Sequence, residues 1–267
     1  MTTIDLSYWQ LGFAASAIVA LYVVLVPFRQ GLSRSLLVST VRLVIQLSLI
    51  GYVLKFLFED GHLLYVVLLS VVMLTVASRE MVARQKRRIK GVRALGIGAA
   101  TVFVSSFAIS LYGLLVVVRP DPWYMPQYAI PLLGMIMSNT MSAISLAMDR
   151  LTNALYEQQA LVEQKLALGY SAKEAIRPYV SDCIRTGMMP VINSMAAAGI
   201  VALPGMMTGQ ILGGVSPQVA VKYQIMIWFF IAASCGFGMV TALRLLGRVL
   251  FDDRDRLRLD RLEAPKH

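Results

Sequence analysis

Apolar residues in this chain gather in long blocks rather than in the short alternation of a half-buried strand. Seven blocks stand out: Tyr8 to Phe28, Ser35 to Leu57, Leu63 to Ala77, Leu95 to Val118, Tyr128 to Met148, Met188 to Leu203 and Val219 to Leu243. A helix of roughly 20 mostly apolar residues crosses about 30 Å of hydrocarbon. Blocks of that length predict an all-α, polytopic membrane protein with about seven transmembrane helices. The third and sixth blocks are short, so the pattern defines their ends least well. Composition agrees: 57% of residues are hydrophobic and 15% charged, against about 25% charged in soluble domains.

A net charge of +10 would suit a nucleic-acid binder. Its distribution argues otherwise. Arg79, Arg84, Lys86, Arg87, Arg88, Lys90 and Arg93 follow the third block. Arg244, Arg248, Arg254, Arg256, Arg258, Arg261 and Lys266 follow the seventh. Arg29 and Arg34 follow the first, and Arg150, Lys165, Lys173, Arg177 and Arg185 the fifth. If seven helices alternate, all of these share one side, which leaves Arg119 and Lys222 beside Asp5, Glu59, Asp60 and Asp121 on the other. Basic loops stay cytoplasmic. The N-terminus is therefore expected outside and the C-terminus inside, in the inner (plasma) membrane. Arg42 and Lys55 can snorkel to the two faces. The first block follows Asp5 and lacks a basic flank, so it reads as a retained helix rather than a cleaved signal. Residues 1–248 form the expected transmembrane domain, with a cytoplasmic elbow at 150–187 and a tail at 249–267.

The chemistry expected of the chain is limited. No G-x-x-x-x-G-K-[ST] loop occurs, so ATP binding falls to another chain. Only His62 and His267 exist, there is no H-E-x-x-H, and no pair of groups reads as catalytic. No cofactor is expected on this chain, and no metal ligands are assigned. Cys183 and Cys235 fall at different depths, so neither a disulfide framework nor a zinc site is supported.

Two irregular stretches carry more information. In the first, Leu151, Leu155, Val162 and Leu166 give an amphipathic helix. Gly169 suits a left-handed cap after Leu168. Ser171 and Glu174 then read as a capping box opening a new helix, which Pro178 should kink or end. A fixed docking surface and a merely solvated loop are the two readings. The second stretch is Leu203-Pro204-Gly205-Met206-Met207-Thr208-Gly209-Gln210-Ile211-Leu212-Gly213-Gly214, apolar yet rich in glycine. Irregular backbone is not tolerated facing lipid, and interrupted apolar segments point to transport sites. An external turn is the plainer reading. Ser216 and Pro217 then suit an N-cap and a first helical residue.

Asn139 lies within an apolar block and needs protein, water or substrate to face. With Met206, Met207 and Gln210 it makes the candidate substrate pathway, and Met135 and Gln224 are weaker members. These residues offer amide oxygens and thioethers but no fixed negative charge. The structural alternative is that Asn139 only bridges helices and the methionines only pack. Ser194, Ala198 and Ala202 form a small-residue row suited to close helix packing.

The runs Ile130-Pro131-Leu132-Leu133-Gly134-Met135 with Ser138-Asn139-Thr140-Met141, Leu166-Ala167-Leu168-Gly169-Tyr170-Ser171, the Leu203–Gly214 stretch and Pro217…Tyr223-Gln224 resemble the FetB-type permease family. Bacterial members of that family are membrane subunits of an iron-export ABC transporter, and plant relatives belong to an aluminium-tolerance system. The resemblance implies an ABC ATPase subunit as partner, ATP bound there, a second copy of the permease, and a role in metal homeostasis. It also implies that the elbow couples to the ATPase through Glu163, Leu168, Gly169, Tyr170, Ser171 and Glu174. Glu163 and Gly169 keep the six-residue interval of an importer docking motif, whereas Gln164 and Lys165 depart from it. The expected function is thus the permease half of an ATP-driven iron exporter. An ATP-independent secondary transporter and a non-transporting scaffold are the alternatives.

Overall fold

A computed structural model describes residues 7–28, 32–83, 85, 87 and 89–263. Asp5, Arg29, Arg84, Lys86, Arg88, Lys266 and His267, all used in the charge argument or the motif search, lie outside the described residues.

The described chain is helical. It runs α1 (Tyr8–Leu25), α2 (Leu32–Asp60), α3 (Leu63–Ala83) and α4 (Val92–Val102). Two π-helical turns, Phe103–Phe107 and Gly113–Val118, flank α5 (Ala108–Tyr112). Then come α6 (Pro126–Glu157), α7 (Gln159–Ala167), α8 (Ala172–Ala197), α9 (Gly205–Leu212) and α10 (Pro217–Leu250). Six segments are long and apolar enough to cross a membrane: α1, most of α2, α3, Gly96–Val118, α6 and α10. No residue in the apolar windows of α1 or α2 is buried in protein, against 56% for α6 and 44% for α10. The latter two therefore form the core, and the first two present their apolar surface outward, as lipid allows.

The block Met188–Leu203 does not form a span of its own. Its first part is the end of α8, whose N-terminal half is polar, and the helix stops at Ala197. Yet α8 does run back across the bundle. Tyr128 stacks on Tyr223 at 6.4 Å, and Thr140 meets Ser234, so α6 and α10 lie parallel and nearly in register. Arg150 pairs with Asp182 at 2.8 Å, while Gly187 sits against Ala143 and Ala147. Rising numbers on α8 meet falling numbers on α6, so α8 is antiparallel to both core helices.

Close approach makes this trio compact. A Cβ on Gly187 would fall 2.4 Å from Met239 Sδ and 3.1 Å from the Ala143 carbonyl oxygen. One on Gly238 would fall 2.9 Å from both Ile144 Cδ1 and Ser105 Oγ. The predicted row of Ser194, Ala198 and Ala202 plays no such part. Ser194 is exposed, and Ala198 and Ala202 bridge each other within the turn after α8.

Other details came only with the structure. Pro178 neither begins nor ends a helix; α8 continues through it and through Pro190. Each proline removes one backbone bond, and packing against α6 and α10 holds the helix across the gaps. Arg42 pairs with Glu80 of α3 instead of reaching for water alone. The tail is folded rather than loose. Arg258 N–H bonds the Leu250 carbonyl at 2.8 Å, and Lys90 N–H bonds the Arg261 carbonyl at 2.8 Å. Phe251 and Leu262 are buried there.

Candidate functional site

The elbow is built as its sequence predicts. Leu151, Leu155 and Val162 are fully buried, and Leu166 packs on the core. Gly169 takes φ +90°, where a side chain would clash with backbone. Its N–H bonds the Leu166 carbonyl at 3.0 Å, and the Tyr170 N–H bonds the Lys165 carbonyl at 3.2 Å. That pair of bonds is a Schellman cap. Next, the Ser171 N–H bonds Glu174 Oε2 at 3.0 Å, and the Glu174 N–H bonds Ser171 Oγ at 3.4 Å, closing the capping box. The Ser171 hydrogen bonds hold the Glu174 carboxyl below its ordinary range. Leu168 and Tyr170, two large side chains at the tip, stay 73% and 53% exposed. Glu163, Leu166 and Tyr170 form one wall of a cleft of about 620 Å³, and Arg254, Leu257 and Asp260 are on the tail's wall. Five of the six predicted elbow residues, Leu168, Gly169, Tyr170, Ser171 and Glu174, thus fall in one short, doubly capped turn, while Glu163 lies earlier on α7 and accepts from Gln159 Nε2 at 2.7 Å.

The predicted pathway residues divide. Met206, Met207 and Gln210 lie on α9, which packs against α10 and so against the helix bearing Gln224. The expected irregular backbone at Leu203–Gly214 is largely helix. Pro204 is the N-cap, Gly214 takes φ +92°, and the Val215 N–H bonds the Gln210 carbonyl at 3.0 Å. An eight-residue helix satisfies only part of its backbone, and the first-turn N–H groups of α9 have no side-chain cap.

Asn139 is half-buried, and its Nδ2 donates to the Met135 carbonyl of its own helix at 2.8 Å. The α6–α10 register puts Gln224 level with Ala129, ten residues from Asn139, or roughly 15 Å along the helix. The structure therefore does not gather Asn139 and Gln224 at one level. The neighbour of Asn139 makes the interhelical link: Thr140 Oγ1 donates to Ser234 Oγ at 2.8 Å, and Ser106 lies 3.5 Å from the same oxygen. All three are fully buried. Ser106 belongs to the first π-helical turn, an irregularity often found at functional sites.

Four buried polar atoms have no hydrogen-bond partner in the described protein: Ser110 Oγ, Gln210 Oε1, Gln224 Oε1 and Trp228 Nε1. Two of these belong to predicted pathway residues. Trp228 and Ser110 escaped sequence reading, because a tryptophan or serine in an apolar block usually finds a partner or a backbone carbonyl. Among the described residues no group of three or more His, Cys, Asp and Glu could hold a metal ion.

Fold and site together define a multi-pass helical membrane protein with a structured elbow between α7 and α8. The chain belongs to the family described as "Uncharacterised protein family (UPF0014)", whose profile matches residues 8–251. It is 36% identical over 255 residues to "UPF0014 membrane protein slr1647" of Synechocystis, covering 93% of this chain and 94% of that one. It is 30% identical to "Probable iron export permease protein FetB" of Escherichia coli, covering 87% of each chain. It is 33% identical to "Protein ALUMINUM SENSITIVE 3" of Arabidopsis thaliana, covering 87% of this chain and 84% of that one. No solved structure matches the chain.

Proposed function

We propose that this chain is the permease subunit of an ATP-driven ABC exporter of iron, working with a separate ATPase subunit and a second copy of itself. The elbow is the observation that carries this reading. Two caps fix its shape, its tip exposes Leu168 and Tyr170, and it joins α8 to α7, which follows α6 after the single residue Gln158. A force applied to the tip is transmitted to two long helices at once. A soluble ATPase that seats this tip would turn nucleotide-driven closure into motion of α6 and α8 against α10. The name of the Escherichia coli relative supplies the cargo.

In this reading the N-terminus is outside, the C-terminus is inside, and α8 is the seventh crossing of the inner membrane. The cargo passes along the α6–α9–α10 surface, by Met135, Asn139, Met206, Met207, Gln210 and Gln224. ATP is bound by the partner alone. The test is purification from the native membrane, followed by identification of the bound ATPase and assay of metal-stimulated ATP hydrolysis. Stoichiometric recovery of an ATPase stimulated by iron is expected. Recovery without any ATPase, or hydrolysis indifferent to metals, rejects the proposal.

A further inference from the structure

At the end of α10 away from the tail, three polar atoms are buried without partners. Gln224 is only 8% exposed, and its Oε1 accepts nothing. Trp228 lies one turn further along the same helix face, and its Nε1–H donates to nothing. An acceptor and a donor four residues apart on one helix could satisfy each other, yet they do not. Gln210 Oε1, on the α9 helix that packs there, is a third orphan. Buried polar groups are almost always paired, so these two acceptors and one donor call for a ligand offering the reverse.

The surroundings narrow the ligand. Residues 92–118, 126–148, α9 and α10 contain no Asp, Glu or His. A stripped hard cation needs such charged oxygens or waters around it. At the same end the charges are exposed ones, Lys222 two residues before Gln224 and Asp121 in the loop before α6. We infer that Gln210, Gln224 and Trp228 recognise the cargo as an oxygen-ligated metal complex, neutral or anionic, and not as a bare ion. Hydroxyl or water ligands of the complex donate to the two amide oxygens. The Trp228 N–H donates to a ligand oxygen and sets the choice, because a bare cation offers it no acceptor.

This inference rests on the exporter reading and is tested with the intact permease–ATPase complex in vesicles. ATP hydrolysis is titrated with ferrous iron alone, with ferric iron held by a small hydroxy-acid chelator, and with that chelator alone. The chelated metal is expected to stimulate best. Trp228→Phe and Gln224→Met, at wild-type recovery of the ATPase, should each raise its half-saturating concentration about tenfold, the effect of one lost hydrogen bond. Equal or better stimulation by ferrous iron alone or by the chelator alone overturns the inference, as does wild-type half-saturation in both variants. If no form of iron stimulates the wild type, the exporter reading itself falls. The inference then falls with it.

Discussion

Thr140 of α6 donates a 2.8 Å hydrogen bond to Ser234 of α10, and both side chains have zero exposure. The link ties the two core helices at mid-length, where Ser106 also approaches. Thr140→Val keeps the shape but leaves Ser234 with the more distant Ser106. A loss of about 1 kcal/mol is expected, within the modest range of hydrogen bonds between membrane helices. Adding Ser234→Ala should cost less than the sum of the two single changes. Unfolding of the four proteins in detergent measures the difference, and strict additivity would deny the coupling.

Gly187 leaves no room for a side chain where α8 packs on α6 and α10. An added Cβ meets Met239 Sδ and the Ala143 carbonyl together. Gly187→Ala is expected to destabilise by about 1–3 kcal/mol through overpacking. Met239→Ala in the same chain opens space, so the pair should be less than additive. Thermal unfolding in detergent reads both effects.

The elbow should respond to backbone changes more than to side-chain size. Proline cannot adopt the φ of +90° at Gly169, and it deletes the N–H that bonds Leu166. Gly169→Pro should abolish metal-stimulated ATP hydrolysis while the membrane level is kept. Gly169→Ala should do so only in part. Normal coupled hydrolysis in Gly169→Pro would remove the elbow from the mechanism.

The tail carries a pH signature. Hydrogen bonds from Arg258 hold the Asp260 carboxyl at about 2, below its ordinary 3.8. The backbone N–H of Arg256 likewise holds Asp252 low. A lowered carboxyl stabilises the folded tail fully above its unfolded value and loses that contribution as pH falls through the folded one. Protease sensitivity of the tail should be flat from neutral pH down to about 4 and rise between about 4 and 2. Asp260→Asn should remove this part of the pH response. A transition near neutral pH would contradict the assignment.

Topology is open to direct labelling. Cys183 and Cys235 are buried, so an impermeant thiol reagent should report only an added cysteine. Asp121→Cys should label in intact cells, and Arg254→Cys only after permeabilisation. Both positions are exposed. The reverse result would invert the membrane orientation.

Much was legible because some signals need no neighbours. Apolar run length sets helix length, since lipid leaves the backbone no other way to satisfy its own groups. The cap at Gly169 and the box at Ser171 and Glu174 are equally local. A left-handed glycine and a side chain three residues on settle the geometry within six residues. What failed depended on contacts from elsewhere. Pro178 was read as kinking or ending its helix, whereas α8 runs on through it, packed against α6 and α10. Arg42 was read as reaching water because Glu80 lies 38 positions away in sequence.

By itself, then, the sequence determined the class, most of the spans, the charge asymmetry and the elbow, all of which follow from local backbone chemistry and the solvent the chain must meet. Only the tertiary structure decided which polar residues look inward. Asn139 and Thr140 are adjacent, but successive residues on a helix point about 100° apart. It took the position of α10 to turn Thr140 towards Ser234 and leave Asn139 bonding its own backbone. The same packing left Gln224 Oε1 and Trp228 Nε1 buried without partners. A helix fixes the angle between its residues, but only a neighbouring helix fixes which angle is the inside.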